Sequence, residues 1–160
     1  MISIEDLKRI YLLQKLTDEM VAKMLPLTEA RQYKERELVF EEGEKANNFY
    51  MLKRGKILLE VELSETIIVS LGSIKTGYSF GWSSLVPDST HTSYAVCTEP
   101  SEVLIIPGES FRALLDEDHT MGYLIMDGVT QVIKGRLNRR TGQFLKVISR
   151  HPEIGALLGF

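Results

Sequence analysis

Lys56-Ile57-Leu58-Leu59-Glu60-Val61-Glu62, followed a few residues on by Thr66-Ile67-Ile68-Val69-Ser70-Leu71, is the stretch that decides the fold. Ile57, Leu59 and Val61 recur with period two, which sends all three to one face of a strand. Two β-rich runs separated by a short polar gap predict strands over 56–62 and 66–71. Outward from them the texture repeats, with further strands predicted at 28–33, 37–40, 48–53, 78–80, 93–98 and 102–106. Gly43 and Gly55 fall at turns between them, where a positive φ costs glycine little. One helical turn is expected near Ser83. Many short strands with regular turns imply a barrel, a sandwich or a jelly roll.

The flanks read as helices. Ser3 followed by Asp6 forms a capping-box start, with Leu7, Ile10, Tyr11 and Leu13 at near-helical spacing behind it. Thr17, Asp18 and Glu19 open a second short helix that ends at Pro26, so helices are expected within 3–25. After Pro107, Phe111, Leu114 and Leu115 mark a short helix, and Met121 through Leu137 mark a longer apolar stripe. That stripe predicts packing against the barrel or pairing of the 118–140 helix with a second copy, a homodimer. Gly128, Gly135 and Gly142 recur every seven residues, and glycine costs about 1 kcal/mol per helical site relative to Ala. A helix break near Gly135 or Gly142 is expected. The predicted layout is one domain over 1–140, with helices 3–25, a β-roll over 28–107 and helices 108–140, then a short extension over 141–160.

A 160-residue chain with 44% hydrophobic and 26% charged residues is globular. One cysteine, Cys97, forms no internal disulfide, and the N-terminus lacks a signal-peptide pattern. The cytoplasm is the expected compartment. No apolar run approaches the roughly 20 residues of a membrane span. Six basic residues between Lys134 and Arg150 have no acidic neighbour in 128–152, whereas the rest of the chain is acidic. Such a segment reads as a solvated helix face or as a contact for an acidic partner, and nucleic acid is the less favoured partner. No His-rich or Cys-rich spacing suits a metal, and no residue set for enzymatic chemistry is visible.

Several motifs share one order. Val39, Phe40, Glu42 and Gly43 form one turn; Phe49 to Leu52, Gly55 and Ile57 form a hairpin. Gly77, Phe80, Gly81 and Leu85 form a glycine-rich run, and Glu102 to Pro107 then Phe111 to Leu115 close the block. Together with Leu13, Leu16, Thr17, Met20 and Met24, these resemble the cyclic-nucleotide-binding domain of catabolite-activator-type regulators and kinase regulatory subunits. The resemblance covers residues 7–138. It implies a mainly β fold with flanking helices: a double-stranded β-helix, or jelly roll, with two N-terminal helices and a long C-terminal helix. It further implies a phosphate cassette in which a short helix offers backbone N–H groups to an anion.

The cassette carried over onto this chain comprises Phe80, Gly81, Trp82, Ser83, Ser84 and Leu85, with His91, Thr92 and Ser93 closing it. The family has a Glu after the second glycine and an Arg about ten residues later; here those positions hold Trp82 and His91. A hydrogen bond to a charged group contributes about 1.5–3 kcal/mol, so losing two removes about two to four powers of ten in affinity. Trp82 reads as a stacking platform for a planar ligand or as filling for the vacated space. His91 reads as a surface polar residue or as an anion contact. Ser83 and Ser84 read as helix caps or as anion donors, Ser93 as a space-preserving small residue, and Tyr94 as strand core. Cys97 reads as a buried small hydrophobe.

The resemblance implies a non-enzymatic regulatory domain with weak or altered ligand specificity, its effector a nucleotide or other small anion. The alternative is a ligand-free relic acting as a dimerisation or protein-interaction module. A transcription regulator is disfavoured, because too few residues follow position 140 for a helix-turn-helix domain.

Overall fold

The computed structural model describes residues 1–159. The strands expected at 56–62 and 66–71 are present as β4 (Lys56–Ser64) and β5 (Ile67–Lys75), and the structure pairs them as an antiparallel hairpin. Around it lie β1 (Glu29–Tyr33), β2 (Leu38–Phe40), β3 (Asn48–Arg54), β6 (Ser79–Phe80), β7 (Tyr94–Cys97) and β8 (Ser101–Pro107). Every strand foreseen from period and turn residues forms within a few positions of its expected bounds. They assemble into two four-stranded sheets, ordered β1-β8-β3-β6 and β2-β7-β4-β5, in which all neighbours are antiparallel.

One core cluster takes residues from all eight strands, among them Tyr33, Phe40, Tyr50, Leu52, Ile57, Ile74, Phe80, Ala95 and Val103. It is the shared interior of the two sheets, where apolar area leaves water. β3 and β8 are covered on both faces. Tyr50, Leu52, Val103 and Ile105 join the interior, while Phe49 on the opposite face packs 5.2 Å from Phe111, centroid to centroid. The alternation in β4 holds for Ile57 and Leu59, which are buried, but Val61 is only half-buried. A register shift between Leu59 and Glu60 breaks the period there. Tyr94, expected in the strand core, is likewise half-buried.

The N-terminal segment is less regular than its spacing suggests. α1 (Ile4–Lys8) starts with the expected capping box, Ser3 and Asp6 exchanging backbone and side-chain bonds of 3.1 Å each. It stops at Arg9, and a 3-10 turn over Tyr11–Leu13 follows in place of a continuous helix. The backbone N–H of Tyr11 donates to the Gly77 carbonyl at 2.8 Å, a bond that an α-helical Tyr11 would direct within its own helix. α2 (Asp18–Met24) is capped by Thr17.

The chain divides into two compact units, Met1–Ile125 and the segment from Met126 onward. α3 (Gly108–Glu117) belongs to the first; α4 (His119–Ser149) starts in the first and runs into the second; α5 (Pro152–Leu158) lies in the second. The break expected near Gly135 or Gly142 does not occur, for α4 is continuous through both. A glycine costs about 1 kcal/mol, but helix propagation adds a hydrogen bond per residue, and both glycines stand among good helix formers. No helix among the described residues is long and apolar enough to cross a membrane.

Candidate functional site

The glycine-rich run forms a tight corner. β6 ends at Phe80, Gly81 takes a left-handed conformation with φ 73°, and Trp82–Leu85 make one 3-10 turn. Glycine is required at 81 for two reasons. Its φ is one that L side chains rarely adopt, and a Cβ there would lie 2.5 Å from Cδ2 of Tyr50. The turn is closed from within. The Ser84 N–H and hydroxyl both donate to the Gly81 carbonyl, the hydroxyl at 2.8 Å, and the Val86 N–H donates to the Ser83 carbonyl. Ser84 is fully buried, and its hydroxyl bonds back into the turn rather than capping its start, which is Gly81 with no side-chain cap.

Two residues outside the sequence-derived set hold this turn in place. Arg112 of α3 donates from its guanidinium to the Ser84 carbonyl. Gly108, at the start of α3, leaves room for it: a Cβ there would stand 2.8 Å from the same carbonyl oxygen. The Gly108 N–H donates to the Asn47 carbonyl at 2.8 Å, which ties α3 to the loop leading into β3. Arg112 was readable only as one turn beyond the helix start, and nothing local marks its target.

His91 is the largest departure from expectation. It is not the surface residue that the sequence suggests, being only 4% exposed. Its imidazole stacks on Phe40 with centroids 3.6 Å apart and planes 7° apart, and Tyr50 stands at 6.2 Å. Tyr50 also stacks on Phe80 at 5.2 Å, and Phe40 packs on both, so four rings close the interior beside the turn. The backbone fixes His91 there. Its N–H donates to the Glu44 carbonyl and its carbonyl accepts from Gly43, each at 2.8 Å, beside a bridge between Lys45 and Thr90. Burial pushes the imidazole below its ordinary pKa, and the Glu44 carboxylate opposes that only in part. The neutral ring is therefore the resident form near pH 7.

The other cassette residues divide by exposure. Phe80 and Ser93 are buried, Trp82, Ser83 and Leu85 are half-buried, and Thr92 is exposed. The Trp82 indole nitrogen is itself shielded from solvent. The structure thus brings Phe80, Gly81 and His91 together around Tyr50. Phe40 and Tyr50, the rings on which His91 and Gly81 depend, entered the sequence reading only as hairpin and turn residues; the alternation of Tyr50 with Leu52 was the available signal for an inward ring. Cys97 is a buried small hydrophobe whose thiol is pushed up by burial.

A two-sheet roll with a left-handed glycine, a single 3-10 turn and an α3 that clamps it is a specific arrangement, and the family model for the cyclic nucleotide-binding domain matches residues 30–118. The chain belongs to this family. A crystal structure from Geobacter metallireducens, named "Putative Cyclic nucleotide-binding protein", is similar with TM-score 0.75 and 28% identity, covering 86% of this chain and 99% of that one. The Thermus thermophilus catabolite activator protein shares the fold with TM-score 0.70 at 24% identity, over 86% of this chain and 62% of that one. Among curated proteins, the "Putative potassium channel protein" of Rhodopseudomonas palustris is 26% identical over 131 residues, 82% of this chain. The chain spans 30% of that relative's length. As a cyclic nucleotide-binding domain, this chain is of a regulatory class.

Proposed function

We propose that this cyclic nucleotide-binding domain is a non-enzymatic regulatory module that responds to a small anionic or nucleotide-like effector and takes ordinary cyclic AMP weakly. The observation that carries this is the inward packing of His91. At the position where the family implies a phosphate-pairing arginine, the side chain is neutral, buried and stacked on Phe40. Neutral, it offers an anion at most one N–H donor and no charge, and it cannot reproduce the bidentate fork of a guanidinium. Trp82, at the glutamate position, offers no acceptor for a sugar hydroxyl. What remains for an anion is the backbone of the turn after Gly81.

Isothermal titration with cyclic AMP and cyclic GMP, alongside thermal-shift measurements, tests this on the wild type and on Trp82→Glu/His91→Arg. The wild type is expected to show no saturation below about millimolar ligand, and the double variant to tighten by about two to four powers of ten. Micromolar saturation of the wild type by either nucleotide overturns the proposal. The packed ring cluster favours a second reading, a domain that takes no ligand and acts through protein contacts; failure of the double variant to bind either nucleotide supports it.

A further inference from the structure

The second unit carries an exposed apolar row. Along α4, Met126, Ile133, Leu137 and Phe144 recur at intervals of seven, four and seven, and Val147 extends the row. At 3.6 residues per turn, the first four fall within a narrow stripe. All are exposed, Met126 at 46%, Ile133 at 48%, Leu137 at 62%, Phe144 at 63% and Val147 at 70%. A heptad row of this kind is the seam of a helix pair lacking its second helix.

Charge decides which helix fits. Lys134 flanks the stripe, Arg140 sits within it, Arg139 and Lys146 lie further round, and no Asp or Glu occurs between 128 and 149. Arg136 is held below the usual guanidinium value, first by burial and then by Arg140 and Arg139. A second copy aligned in register, parallel or antiparallel about Leu137, sets the cationic stretch 134–140 against itself. Nucleic acid would match the charge but leave the apolar row uncovered. A helix with an apolar seam and acidic flanks satisfies both demands.

We infer that the α4 stripe from Met126 to Val147 is a docking surface for an acidic amphipathic helix of a partner protein. The test uses the full chain and two labelled four-heptad peptides with Leu at positions a and d, one with Glu and the other with Lys at e and g. Like charges keep each peptide from pairing with itself. The Glu peptide is expected to bind saturably and at least about tenfold tighter than the Lys peptide. That binding is expected to weaken as salt rises from about 50 mM to about 500 mM. Leu137→Asp should weaken it at least about tenfold while leaving thermal unfolding unchanged, and Lys134→Glu/Arg140→Glu should reverse the preference between peptides. The inference is overturned if the peptides bind equally or neither binds. It is also overturned if sedimentation shows a dimer that Leu137→Asp splits, or if the chain binds duplex DNA and Leu137→Asp leaves that binding intact.

Discussion

At the scale of single residues, His91 couples the site to pH. Burial lowers its folded-state pKa, so as pH falls the unfolded chain takes up a proton before the folded chain does. Stability from this group is fully present above about pH 6.5 and is lost as pH falls from there through the folded-state value. His91→Phe keeps a ring against Phe40 and removes the titration. Its melting temperature should fall less than the wild type's between about pH 7.5 and about pH 5.5; parallel curves would show that the buried imidazole does not govern the slope. Gly81 makes a second prediction at this scale. Gly81→Ala places a Cβ against Tyr50 at a φ of 73°, and a loss of about 1–3 kcal/mol is expected in urea unfolding. An unchanged midpoint would mean that Tyr50 moves aside without cost.

Among elements, the cassette turn and α3 act as a pair. The turn is one 3-10 turn long and cannot hold itself by helix propagation. Its closing carbonyl, on Ser84, is buried and receives the Arg112 guanidinium. Arg112→Ala leaves that oxygen without its charged donor, and a loss of about 1.5–3 kcal/mol is expected, near the lower figure because Arg112 is itself half-buried. Chemical denaturation of the variant measures it. Arg112→Lys should recover only part, since an ammonium on a flexible stem does not reproduce the guanidinium's reach. Full stability in the alanine variant would show that water replaces the donor.

For the whole molecule, the segment before the family match is as much a part of the core as the roll. Leu7, Ile10, Leu12, Leu13 and Leu16 are all buried, although the matched region begins at residue 30. Tyr11 binds the Gly77 carbonyl and stacks on Tyr78 at 5.9 Å, just ahead of β6, and Lys53 bridges Asp6 at 3.3 Å and Glu102 at 3.2 Å. Burying an aliphatic side chain contributes about 1.5–3 kcal/mol, so five of them are comparable with the about 5–15 kcal/mol that holds a domain folded. A chain lacking residues 1–16 should therefore lose cooperative thermal unfolding by circular dichroism. A melt within a few degrees of the full chain would assign the segment a peripheral role.

Local pattern determined much of this protein. Period two and turn glycines placed all eight strands, and Ser3 and Thr17 placed two helix starts, because each depends on neighbours a few residues away. Tertiary structure decided the rest. The pairing of β1 with β8 and of β2 with β7 joins residues far apart in the chain, and the Arg112 bond to Ser84 forms only once α3 is seated. The side on which His91 lies is of the same kind: a polar residue between two threonines reads as surface, and only the stack of Phe40 with the backbone bonds to Gly43 and Glu44 turns it inward. Local sequence fixes which backbone conformations are cheap, whereas the environment of a side chain is set by whatever distant strand the fold lays across it.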